Sequence, residues 1–238
     1  VYIEMISVHW YGKGAANAFE AYLEIAKARG IDNKDLWGTF WDSKASELCK
    51  KHADNYPGIG FLTAALDHGI SAKLNMVEQI AALAATGEAQ LDDFPDFDPN
   101  RMTFYTEIGP DYFREIAKCR ALRQLWANVI DARGGKVQPG VMGLHATNAI
   151  KQRSEDPYHN LLQATTSATS AGVGGCCSIA LLAMDDKDEE RDLNQEFFQR
   201  INNNIQLLLK HESHLNEVAD PLAGSYFVEH LTAQYLHQ

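Results

Sequence analysis

Three histidines come first among the residues that could do chemistry. His9, His68 and His145 each sit near the end of an apolar, β-rich run. In a protein of alternating strands and helices, that places an imidazole at the C-terminal rim of the sheet, where sites are built. An imidazole there can work as acid, base or ligand. One such histidine is more often structural, whereas three on one rim raise the expectation of a polar pocket. His211-Glu212-Ser213-His214 has the residue types of a zinc protease helix but not the spacing. Two histidines ligate from one helix face at i and i+4, with the Glu between them. Here they are three apart, so a solvated helix end is expected, and no metal site. Gly12-Lys13-Gly14 lies at a strand-to-helix turn and could present backbone N–H groups to an anion. It lacks the phosphate-loop spacing, so a plain turn is expected. Gly172-Val173-Gly174-Gly175 comes between a helix and a strand, the reverse of a dinucleotide fingerprint, and is expected to end the helix. No Ser-His-Asp or Cys-His arrangement follows from spacing.

The elements that would position these groups alternate in type. Strands are expected over 2–10, 36–41, 60–66, 101–107, 141–147 and 174–182, the last one buried. Helices are expected over 15–29 (ended by Gly30), 43–53, 72–85 (stopped by Gly87), 110–132, 157–171 and 193–212, with a last one starting near Ser225. In the long helix Tyr112, Phe113, Ile116, Leu122, Trp126, Val129 and Ile130 fall on one broad face. In the later one Phe197, Ile201, Ile205 and Leu208 do the same. Strands alternating with helices imply parallel strands, because a parallel connection needs a crossover. Six such units are compatible with an open doubly wound sheet, or with a barrel lacking its first units. Acidic stretches 92–98 and 185–192 are expected to be solvated loops.

The chain has 238 residues, 45% of them hydrophobic, enough for the core of one large domain. A net charge of -11 argues against nucleic acid or a membrane surface as partner, since both require a basic face. No window is apolar enough to span a bilayer, and no leader pattern opens the chain. The four cysteines, Cys49, Cys119, Cys176 and Cys177, have neither zinc spacing nor the pattern of a disulfide framework. Cys176 and Cys177 lie in an apolar run and are expected to be buried, reduced thiols. A cytoplasmic location is expected.

The segment from Phe104 to Ala127, above all Ile108-Gly109-Pro110-Asp111-Tyr112-Phe113-Arg114-Glu115-Ile116 and on to Trp126, resembles a hallmark helix of the methylmalonyl-CoA mutase family. Asp156-Pro157-Tyr158-His159-Asn160-Leu161-Leu162, followed by Gly174-Gly175, looks like the next hallmark. Gln206 to Glu212, then Asp220 to Thr232, looks like the third. The resemblance is strong from about Asp67 onward, and 31–40 is similar to the small-subunit pattern. It implies an α/β fold of the (β/α)8 TIM-barrel type, here a single partial barrel over 1–238. The first one or two β/α units and any cobalamin-binding domain would lie outside this chain. It also implies a radical rearrangement between methylmalonyl-CoA and succinyl-CoA, with adenosylcobalamin supplying the radical. Some members pair a large catalytic chain with a small, inactive one.

By the same resemblance, catalytic chains carry an Arg, then His, Gln, Thr and Ser, ahead of the Asp-Pro-Tyr motif. This chain has Met142-Gly143-Leu144-His145-Ala146-Thr147-Asn148 there, and the Arg is missing. After the double glycine, catalytic chains read Gln-Ser-Leu-His, and this one reads Cys177-Ser178-Ile179-Ala180. Apolar side chains leave a carboxylate or thioester oxygen without partners. The Tyr-His pair against the reacting centre is at best Asp67-His68, and a buried Asp there would repel an anionic substrate. Gln206 matches a family glutamine. No Asp-x-His-x-x-Gly occurs to ligate cobalt from below. The chain is therefore expected to be a small subunit, inactive alone, that binds no cofactor itself and pairs with a homologous large catalytic subunit. The alternative is part of an active acyl-CoA mutase with a remodelled pocket, in which His68 is the catalytic candidate and His145 and Gln206 the substrate contacts. A stand-alone barrel for another small molecule is the third reading.

Overall fold

The computed structural model describes residues 2–12, 14–41, 44–138, 142–149, 154–181 and 195–237. Its strands and helices alternate, as the periodicity requires. The strands fall into two sheets, of order β1-β2-β3 and β4-β5-β6-β7. The pairs β1/β2, β2/β3 and β6/β7 are parallel. The chain divides into two compact units, Val1–Ala65 with Ala85–Phe104 and Val129–Gly143, and Leu66–Ala84 with Tyr105–Asn128 and Leu144–Gln238.

The first unit opens with β1 (Ser7–Tyr11), α1 (Ala15–Ala28), β2 (Trp37–Trp41) and α2 (Ala45–His52). The start of the expected first strand is instead a 3-10 turn, Ile3–Met5. Gly30 ends α1 as its sequence position suggests. It takes φ +69, its N–H bonds to Lys27 O, and the Ile31 N–H reaches back to Ala26 O at 3.0 Å. This is the left-handed exit that glycine makes without strain. The strand expected over 60–66 is two short ones, β3 (Ile59–Gly60) and β4 (Thr63–Ala65), separated by buried Phe61 and Leu62. The core is aromatic. Phe19 is fully buried and meets Trp10, Phe40, His52 and Phe61 edge-on, with ring centroids 5.0–5.8 Å apart. Arg101 closes this end by donating to the carbonyls of Ala53, Tyr56 and Ile59.

Gly38, on β2 opposite Val8, shows how tight the first sheet is. A methyl there would land on the Val8 carbonyl and lie 2.6 Å from the Trp10 ring. Gly38→Ala is therefore expected to destabilise by about 1–3 kcal/mol, read as an earlier urea midpoint. A midpoint equal to that of the parent protein would mean that the strands part easily enough to admit the methyl.

α4 (Met76–Asp93) runs straight through Gly87, which therefore does not stop the helix. The buried stripe Ile80, Leu83, Ala84, Gly87, Leu91 continues across it, and that burial outweighs a glycine cost of about 1 kcal/mol. Its start is a capping box: the Glu78 N–H donates to Asn75 Oδ1, and the Asn75 N–H donates to the Glu78 carboxylate.

The second unit contains the short α3 (His68–Ser71), most of β5 (Thr103–Ile108) and of α5 (Tyr112–Ala132), and then β6 (Gly143–Asn148), α6 (Pro157–Val173), β7 (Ser178–Ala180), α7 (Gln195–His211) and α8 (Tyr226–His237). Asp156 caps α6 by accepting from the Tyr158 N–H, with Pro157 in the first turn. The double glycine ends α6 as expected. Gly175 has φ +81, and the Cys176 N–H returns to Ala171 O.

Three corrections concern burial. Among the described residues β7 lies at the edge of its sheet, where Ser178 and Ile179 are half-buried and Ala180 is exposed. For the same reason Cys176 is only half-buried and Cys177 is exposed. Phe113 lies off the buried stripe of α5 and packs edge-on against Phe227. On α7 the buried stripe is Phe198, Asn202 and Ile205, while Leu208 is exposed. The acidic stretch 92–98 begins inside α4, and 185–192 lies outside the described residues.

Candidate functional site

The strand-end histidines do not share one setting. His9, on β1, accepts or donates through Nδ1 to Thr39 Oγ1 at 2.5 Å, and burial lowers its pKa. His145 belongs to the other unit, on β6, where it is 7% exposed. It lies in register with Ser178, and its Nδ1 is 2.7 Å from the Ser178 hydroxyl. The side chain of His68 lies outside what is described, although its backbone opens α3. The neighbouring Asp67 is exposed rather than buried, because its carboxylate caps α3 through the Gly69 N–H.

Gln206 joins the His145 neighbourhood through β7. Its amide donates to Ile179 O at 2.8 Å, one residue beyond Ser178. The Thr147 hydroxyl donates to Ala180 O and the Cys177 N–H to Leu144 O. The structure thus brings His145 and Gln206 to the same short strand, with both side chains bonded to that strand. Where β5 and β6 end, a crevice of about 10 Å³ is lined by Gly109, Asn148, Asn160 and Ser167, room for about one water. Asn160 spends its amide on both backbone groups of Ser154, and the Ser167 hydroxyl donates to Gly109 O.

Sequence reasoning missed the charged centre at the start of α5. Lys118 is 2% and Glu115 5% exposed, and they pair at 2.5 Å. Lys118 also donates to Glu107 O and to Gln79 Oε1, while Glu115 accepts from the Gly109 N–H at 2.8 Å. The pair fastens the turn after β5. The available signal was position: Glu115 and Lys118 lie three apart, on the apolar stripe that continues to Leu122.

The resemblance segments meet in one cluster. Ile116 from α5, Val173 from α6 and Val228 from α8 pack together, with Tyr112, Leu215 and Leu222 around them. Arg120 donates to both oxygens of Asp220 and to Glu229, and Glu229 also accepts from the Gly224 N–H. Asp220 takes φ +47 to reach this position.

His211 and His214 form no helix-face pair. His211 is the last residue of α7 and is exposed, and His214 lies beyond it at φ +52, against Glu217. No His, Cys, Asp or Glu group suited to a metal ion occurs among the described residues. The Gly12 turn closes through the Ala15 N–H on Gly12 O, and Lys13 lies outside the described residues. No described helix is long and apolar enough to cross a membrane.

Parallel β–α units, with α5 clasped to the 220–229 segment through Arg120, define an α/β scaffold. The family model described as methylmalonyl-CoA mutase matches residues 74–238. The chain is 35% identical to the methylmalonyl-CoA mutase of Cereibacter sphaeroides, over 98% of this chain and 36% of that protein. It is 30% identical to the methylmalonyl-CoA mutase small subunit of Streptomyces virginiae, over 100% of this chain and 42% of that protein. With the small subunit of Porphyromonas gingivalis it shares 37% identity over 66% of this chain and 26% of that protein. The chain belongs to the methylmalonyl-CoA mutase family. It spans about two fifths or less of the length of these relatives.

Proposed function

We propose that the chain is part of a small, catalytically inactive subunit of an adenosylcobalamin-dependent methylmalonyl-CoA mutase, built on a (β/α)8 barrel framework. Its role is to pair with a homologous large chain that carries the isomerisation, and to stabilise that chain. One observation carries this reading: at β6 and β7 the polar side chains are tied to the protein itself. His145 is bonded to Ser178, and Gln206 to the Ile179 carbonyl. The other positions of the family's substrate pattern hold Met142, fully buried, with Cys177 and Ala180. None of these can hold a carboxylate.

The residues do not fit cobalamin. No Asp-x-His-x-x-Gly occurs in the sequence to offer cobalt a histidine, and His145, 7% exposed and turned to Ser178, is too enclosed to meet a cofactor. In this reading the chemistry belongs to the partner chain. The relatives named small subunit support pairing with a large chain.

The test uses the full-length gene product. Purified alone with adenosylcobalamin and methylmalonyl-CoA, it is expected to form no succinyl-CoA. Its melting temperature should not move with acyl-CoA, since only binding to the native state would raise it. Co-expressed with a homologous large mutase chain, it should co-purify. Turnover by the product alone, or an acyl-CoA-dependent rise, would favour an active enzyme with His145 and Gln206 as substrate contacts.

A further inference from the structure

Cys119 and Cys176 are 57 residues apart in sequence, yet their sulfurs lie 3.8 Å apart. Cys119 is fully buried in α5, and Cys176 is half-buried in the turn that leaves α6. That turn is shaped around the thiol. A Cβ on Gly174 would come 2.9 Å from Ser170 O, 3.0 Å from Cys119 Cβ and 3.3 Å from its sulfur, so a larger residue would push the turn away from the thiol. Gly175 follows with φ +81, and its carbonyl takes a 2.6 Å bond from Arg123. Hydrogen bonding from Cys176 holds the Cys119 thiol below its usual range, and the same contact pushes Cys176 well up.

We propose that Cys119 and Cys176 form a redox modification site, a thiol pair that a hydroperoxide oxidises reversibly to a disulfide. One thiolate attacks a peroxide oxygen and breaks the O–O bond; the sulfur keeps one hydroxyl as a sulfenic acid, and the other leaves as hydroxide, which becomes water by taking up the proton the thiol had lost. The second thiolate then displaces hydroxide from that sulfur, and the hydroxide leaves as water after taking a proton. Two thiols and one hydrogen peroxide thus give one disulfide and two waters. The sulfurs must close from contact to bonding distance, and a glycine pair at the turn can absorb that shift. The bond would bolt α5 to the turn that feeds Ser178, the partner of His145, into β7. Cys177 is exposed beside the pair and is the competing thiol.

The reduced full-length protein is treated with equimolar hydrogen peroxide, and its remaining thiols are alkylated before non-reducing digestion. The expected product joins the peptide holding Cys119 to the one holding Cys176 and Cys177, and dithiothreitol reverses it. The melting temperature of the oxidised protein should rise by about 3 °C. Cys177→Ser should keep both effects, and Cys176→Ser, at a half-buried position, should abolish both. Cys119 still alkylatable after oxidation, a cross-link lost in Cys177→Ser, or an unchanged melting temperature would each overturn the proposal.

Discussion

Replacing Lys118 with Met will lower the free energy of unfolding by about 3–5 kcal/mol, the usual cost of leaving one member of a buried ion pair without the other. Lys118 supplies three contacts at once: the Glu115 carboxylate, Glu107 O and Gln79 Oε1. Without it, Glu115 keeps only the Gly109 N–H and carries a charge with no route to water. The double variant Lys118→Met with Glu115→Gln separates charge from packing. Gln still offers an oxygen to Gly109 but brings no charge, so most of the loss should return. Urea unfolding curves for the parent protein and both variants decide the matter. Equal losses in the single and double variants would show that contacts of the Lys118 stem, and not an orphaned carboxylate, set the cost.

Phe19→Ala is expected to cost about 3–5 kcal/mol as well. The ring has no exposed surface, and four aromatic neighbours meet it edge-on at centroid distances of 5.0–5.8 Å. Those arrangements add to the burial term, because edge and face carry opposite partial charge. Trp10, which packs directly on Phe19, should lose its near-ultraviolet dichroism along with the stability. Phe19→Leu fills more of the space and should cost less than half as much. A small loss for Phe19→Ala would mean that the neighbouring rings collapse into the void.

Much of the fold was readable because its stops are chemical. Gly30 and Gly175 end helices through left-handed backbone, which sequence marks directly. Gly87 misled because a stop signal is weaker than a continuous buried stripe on both sides of it. On α7 the bulkiest apolar residues suggested a stripe through Phe197 and Leu208, whereas the buried one runs through Asn202, a polar residue that pattern reading discards. The candidate site was legible in part. His145 and Gln206 do flank one strand, but their partners, Ser178 Oγ and Ile179 O, come from register. The Glu115–Lys118 spacing is local, but the burial of that pair, like the meeting of Cys119 with Cys176, depends on tertiary closure, which no local window encodes.

The Arg120 clasp has a consequence for how the chain reaches its native state. Its two acidic partners are 100 and 109 residues downstream. No nascent helix can make such a contact by itself. Closing a span that long costs entropy before any bond repays it. The clasp must therefore wait until α6, β7 and α7 have brought the far end of the chain back beside α5. The Asp220 to Glu229 segment is thus expected to act as a latch that sets late in folding, after the intervening hundred residues have arranged themselves.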